Sequence, residues 1–183
     1  MNTLEVLNRA IASGICGANE SFTSREMLFL QGEVESRTEG IKALSNLPDV
    51  TNVKNTTLYE GYDFEITSAD TKVLIEHKDR GFRKFNNDDL VLSPKKYRAL
   101  LDLSKKAKEE GKECWFTSTR FGSFIYIWDM AEAPTYVYFA PLTHKKYTVD
   151  ASSPTVEEEM VFFPENKAKF IIKYSDDFDY LAD

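Results

Sequence analysis

The chain has 183 residues, 42% hydrophobic, 13% aromatic and 29% charged, values ordinary for a globular protein with one sizeable core. No apolar run approaches a membrane span, and Glu5 and Arg9 interrupt the N-terminus where a signal peptide would be apolar. The net charge of −7 excludes a general nucleic-acid coat, and two cysteines without metal spacing, Cys16 and Cys114, exclude a disulfide framework and suit a cytoplasmic protein with reduced thiols.

Leu4, Leu7 and Ile11 recur at helical spacing and predict a short first helix, capped by Asn2 or Thr3 and ending near Gly14. Residues 15–21 read as loop. Thr23-Ser24-Arg25-Glu26 has the capping-box pattern, so a second helix starts there. Its apolar stripe is Met27, Leu30, Val34, Ile41 and Leu44, and Pro48 follows its end. At about 100° per residue, Glu33 and Arg37 flank this stripe, while Glu35 and Glu39 fall on the far side.

Residues 51–57 are either a first strand or an extended lead-in. Residues 58–67 and 72–79 read as two strands of a hairpin, with Ser68-Ala69-Asp70 as the turn. Strand side chains alternate with period two. Asp63 and Glu65 therefore share one face of the first strand, and Glu76 and Lys78 share one face of the second, with His77 opposite. If the polar faces coincide, three carboxylates and an ammonium meet. Such crowding is costly unless neutralised, and hard oxygen ligands suit Mg²⁺ or Mn²⁺. The plainer alternative is a solvated hairpin with its charges facing water.

Residues 79–84 read as a loop leaving that strand, where Arg80, Arg83 and Lys84 can meet phosphates and Phe82 or Phe85 can stack on a base or pack in the core. Ser93-Pro94 starts a third helix with Tyr97, Leu100, Leu101, Ser104 and Ala107 facing inward, ending at Gly111. Lys95, Lys96 and Arg98 occupy its first turns. Residues 113–119 and 123–129 alternate as two further strands. Beyond residue 131, three extended runs (136–139, 160–163 and 170–172) predict a β-rich extension packed on the core of a single domain. Residues 176–183 read as an acidic tail, with Phe178 and Tyr180 able to dock. His144-Lys145-Lys146 is a solvated turn or a second phosphate contact.

Charge is distributed unevenly. Residues 1–71 carry 5 basic and 11 acidic side chains, residues 72–112 carry 12 and 7, and residues 113–183 carry 6 and 12. One basic segment thus follows the carboxylate hairpin, between two acidic ones, as expected of a local grip on a phosphate backbone.

Asp63, then thirteen residues later Glu76-His77-Lys78 after the apolar run Val73-Leu74-Ile75, resembles the motif of the PD-(D/E)XK nuclease superfamily, with Tyr62 where the pattern has Pro. The resemblance covers about residues 23–130. It implies an α/β, restriction-endonuclease-like core of order αβββαβ, with a mixed sheet flanked by helices. It also implies a nuclease that uses Mg²⁺ or Mn²⁺ to hydrolyse phosphodiester bonds, most simply in DNA, and leaves a 5′-phosphate. Asp63 and Glu76 would hold the metal, helped by the backbone carbonyls of residues 75–77. Gly32-Glu33-Val34-Glu35 resembles the superfamily's helix glutamate, and the helical phase selects Glu33, which otherwise forms an i,i+4 ion pair with Arg37. Lys78 would position the attacking water, and Glu65 is an accessory carboxylate or a surface residue. Arg80, Arg83, Lys84 and either Lys95 or Lys96 would contact nucleic acid. Junction cleavage would call for a homodimer. The rival from another class is a non-catalytic module on the same fold, binding nucleic acid or protein. No dinucleotide, P-loop or serine-hydrolase motif is present.

Overall fold

The computed structural model describes residues 2–68, 71–79, 90–120, 124–145 and 154–174, with the side chains of Asp79, Arg120 and Lys145 excepted. Helix α1 (Thr3–Ala12) begins where the Asn2 side chain accepts the Glu5 N–H at 2.9 Å. Helix α2 (Ser24–Leu44) begins at a complete capping box: the Glu26 N–H donates to Thr23 Oγ1, and the Thr23 N–H donates to the Glu26 carboxylate at 2.7 Å. The buried stripe of α1 is Val6 and Ala10, not the one headed by Leu4, which is 67% exposed. Small Ala10 lets α1 pack against Leu30 and Val34 of α2 and Ile15 of the following loop, leaving Leu7 and Ile11 at the margin.

Strands β1 (Val50–Asn55), β2 (Phe64–Ser68) and β3 (Thr71–Asp79) form an antiparallel meander. The short β4 (Leu90–Leu92) and helix α3 (Pro94–Glu109) then cross over to β5 (Glu113–Arg120), which lies parallel to β3. Strand β6 (Phe124–Asp129) returns antiparallel. With a late strand, β9 (Phe170–Lys173), at its edge, the central sheet has the order β1-β2-β3-β5-β6-β9, in which β3–β5 is the parallel pair. This is a mixed α/β architecture with a central mixed sheet flanked by helices, and α2, β1, β2, β3, α3, β5 follow the expected αβββαβ order.

Alternation divides the core between the two faces of the sheet. Phe64, Ile66, Val73, Ile75, Ile125 and Ile127 pack under Ala43 and Leu44 of α2. Leu74, Phe116, Tyr126 and Trp128 pack under Tyr97, Leu100 and Ala107 of α3. Helix α2 comes closest at Gly40, where a Cβ would stand 2.8 Å from the Phe64 ring and 3.0 Å from the His77 ring. Gly40→Ala gains about 1 kcal/mol in helix propensity but overpacks this contact, which typically costs 1–3 kcal/mol. We expect a net loss of about 1 kcal/mol, the middle of that balance, in urea denaturation, whereas an unchanged midpoint would show that α2 can ride outward freely.

Several boundaries depart from the sequence reading. The stretch 51–57 is a strand only as far as Asn55, within β1, and β2 starts only at Phe64 rather than near residue 58, because residues 56–63 connect the two outside any strand. Strand β4 has three residues, too few for a periodic signal, and pairs with β8 (Thr155–Phe163), far along the chain. Tyr136 closes a 3₁₀ turn rather than opening a strand, so β7 begins at Tyr138 and runs to Lys145. Strands β4, β8 and β7 make a second sheet, whose Leu90, Leu92, Val161 and Phe163 join the core on the α3 side. The last described strand, β9 (Phe170–Lys173), leaves that extension and pairs with β6 at the edge of the central sheet. Lys146 and the acidic run 176–183, with Phe178 and Tyr180, lie outside the described residues. Both cysteines are buried and unpaired, and burial pushes the Cys114 thiol up to about 12. No described helix is long and apolar enough to cross a membrane.

Candidate active site

Strand β3 carries Glu76, His77 and Lys78 beside Phe116, Thr117 and Ser118 of β5. Alternation sends His77 toward α2, where its ring meets Phe64 edge-on at 5.9 Å and its Nδ1 lies 2.9 Å from Thr117 Oγ1. Glu76 and Lys78 take the other side. Asp63 is not inside a strand, as the alternation predicted; it sits one residue before β2. The register Phe64↔Ile75 nonetheless continues one step and places it opposite Glu76. Two bonds fasten it there: its N–H donates to the Ile75 carbonyl, and its Oδ2 accepts the His77 N–H, each at 2.8 Å. The Ile75 carbonyl, expected as a metal-binding oxygen, thus already serves the sheet.

Arg37 completes the hold on Asp63. This residue is 3% exposed and occupies the slot between Val34 and Ile41 on the inner face of α2. Its Nη2 lies 3.1 Å from Asp63 Oδ1, and its Nη1 donates to the backbone carbonyls of Asp63 and Thr56. Its Nε pairs with Glu33 Oε2 at 3.3 Å. The i,i+4 ion pair is therefore formed, and it also orients Glu33 within the electrostatic reach of Lys78.

Glu76 is 1% exposed. Its Oε1 lies 2.9 Å from Lys78 Nζ and its Oε2 lies 2.7 Å from Lys96 Nζ. Each buried oxygen thus meets an ammonium at charge-assisted hydrogen-bond distance. Burial raises the Glu76 pKa and nearby Asp63 adds to this, against the opposing pull of Lys78 and Lys96. Burial disfavours the Lys78 ammonium, but Glu76, Asp63 and Glu33 outweigh it and hold its pKa above the ordinary lysine value. Lys78 is accordingly a cation at neutral pH.

Of the two lysines considered on α3, the structure brings Lys96 to Glu76 and leaves Lys95 exposed. Ser93 fixes that turn as N-cap, accepting the Lys96 N–H at 3.3 Å. Glu65 is not brought into the cluster; it pairs with Lys72 at 3.3 Å. Arg80, Arg83 and Lys84, with Phe82 and Phe85, lie outside the described residues. The sequence reading missed Arg37 as the clamp on Asp63. Its signal was the gap in the stripe Leu30, Val34, Ile41, Leu44, where a charged residue holds a buried phase.

Among the described residues no three His, Cys, Asp or Glu side chains converge as a finished metal cage. Two carboxylates do oppose each other, and the buried oxygens of Glu76 are countered by lysine ammonium groups rather than by backbone donors. Such a donor set fits a hard divalent cation with water completing its shell. No family model and no curated protein matches the chain. Among solved structures it is similar to Hjc, a Holliday junction resolvase from the archaeal hyperthermophile Archaeoglobus fulgidus, at 10% identity and a TM-score of 0.45, covering 78% of this chain and 91% of that one. At that level of likeness, the functional reading rests on the site's own geometry.

Proposed function

We propose that the protein is a metal-dependent nuclease that hydrolyses phosphodiester bonds in DNA. The observation that carries this reading is Glu76: a fully buried carboxylate set opposite Asp63 and flanked by two lysines. Held by Asp63 and Glu76, Mg²⁺ or Mn²⁺ would supply a Lewis acid for the phosphoryl oxygen and lower the pKa of a bound water. Arg37 and the His77 N–H fix the Asp63 carboxylate before any ligand arrives. Lys78 is placed to donate hydrogen bonds to the attacking water or to a non-bridging oxygen. Lys96, and exposed Lys95 beside it, draw the phosphate toward the N-terminal end of α3.

The same ion pairs favour a second reading. Each oxygen of Asp63 and Glu76 already faces a protein donor or cation, an arrangement that also suits a binding module without hydrolysis. The two separate in a cleavage panel of labelled single-stranded, duplex, flap and four-way-junction DNAs, plus RNA. Each substrate is run with Mg²⁺, Mn²⁺ or EDTA. We expect metal-dependent cutting that falls about 10²–10³-fold in Lys78→Ala, the scale of losing one transition-state donor. Binding without cutting in either metal would establish the module instead.

A further inference from the structure

Arg37 bridges Glu33 and Asp63, and Lys78 and Lys96 bracket Glu76; the field of Asp63 acts on both Glu76 and Lys78 and joins the two groups into a set of three carboxylates against three cations, neutral as it stands. A divalent ion added to that set leaves two uncompensated charges unless a cation departs or an anion arrives. The three cations are not equally free to depart. Arg37 is buried and makes contacts with Glu33, Asp63 and two backbone carbonyls. Lys78 shares strand β3 with Glu76 and is held by the fields of three carboxylates.

Lys96 comes from a different element. It sits in the first turn of α3, which has no acidic residue and carries Lys95 as well. The positive end of a helix disfavours cations and favours anions. Besides Glu76, the ammonium of Lys96 reaches the Gly61 carbonyl at 3.5 Å, a weak second hold.

We propose that Lys96 is an exchangeable counter-ion: it holds Glu76 while the metal is absent, yields that carboxylate when a divalent ion binds, and turns to a phosphate of the nucleic acid. This rests on the metal-dependent reading above. Withdrawal of Lys96 leaves the set one negative charge in excess. The metal makes it one positive charge in excess, and a single phosphodiester restores neutrality. Metal and nucleic acid therefore strengthen each other's binding, by the reciprocity that linkage requires.

Two experiments on the full chain test the exchange. Calorimetry measures Mn²⁺ binding to the wild type, to Lys96→Met and to Lys95→Met, which removes an equal charge that does not touch Glu76. Lys96→Met is expected to bind Mn²⁺ about tenfold tighter than the wild type, with Lys95→Met within about twofold of it, since a contact charge acts far more strongly than a screened one. Amine acylation of the wild type, read by mass spectrometry, is expected to rise at Lys96 on adding Mn²⁺ and to stay level at Lys95. Equal Mn²⁺ affinity in wild type and Lys96→Met, or unchanged acylation of Lys96 with Mn²⁺ bound, would overturn the exchange and leave the metal site standing. No Mn²⁺ binding to either protein would overturn both. If Lys96→Met does not fold, the wild-type acylation decides.

Discussion

Glu76→Gln is expected to abolish metal-dependent cleavage while the protein still folds. The substitution keeps the shape of a side chain that is 1% exposed and removes only its charge. It takes away one of the two opposed carboxylates, leaving Lys96 without its carboxylate partner and Lys78 with only the longer-range pull of Asp63 and Glu33. A loss of about 10³-fold or more in single-turnover cleavage follows, equivalent to about 4 kcal/mol in the barrier. Stability should move much less, because burying that carboxylate costs desolvation that its ion pairs roughly offset, and both ammonium groups are near enough to water to relax. Thermal melting run beside the assay separates the two effects. Retention of a tenth or more of wild-type cleavage would remove Glu76 from the reaction.

Arg37→Ala is expected to have the largest effect on stability. It strands the Asp63 carboxylate and two backbone carbonyls, and it unties α2 from the turn before β2. Removing one partner of a buried pair costs about 3–5 kcal/mol. Arg37→Lys should recover little, since a single ammonium cannot reproduce a fork that reaches Glu33, Asp63 and two carbonyls at once. Urea denaturation of both variants gives the comparison. A loss below about 1 kcal/mol in Arg37→Ala would mean that the clamp adds nothing to the fold beyond an ordinary surface ion pair.

Local signals made much of this architecture legible. The capping box at Thr23, the Ser93-Pro94 start of α3 and the alternation through β3 each act over a few residues, and each is where the sequence placed it. What escaped depends on partners distant in the chain. The three residues of β4 become a strand only because β8 lies beside them. Strand β9 follows the second sheet in sequence yet finds its hydrogen bonds on β6. At the site, spacing brought Asp63, Glu76 and Lys78 to attention, but alternation alone placed Asp63 inside a strand. Its true anchorage is a side-chain bond to the His77 N–H and the grip of Arg37. Arg37 was hidden because a cation flanking an apolar stripe usually faces water; here the turn at residues 56–63 offers it enough acceptors to be buried. The choice between Lys95 and Lys96 turned on the rotation of α3, which is set by packing of Tyr97 and Leu100 rather than by the helix's own sequence period.

The claim that Asp63 and Glu76 form a divalent-metal centre is tested most directly by anomalous diffraction from crystals of the protein soaked in Mn²⁺. The account expects one strong Mn²⁺ peak at about 2.1–2.2 Å from oxygens of both Asp63 and Glu76, with the Lys96 ammonium displaced from Glu76. The absence of a peak at saturating Mn²⁺, with both lysines still on Glu76, would contradict it and leave a protein whose buried carboxylate serves its own ion pairs alone.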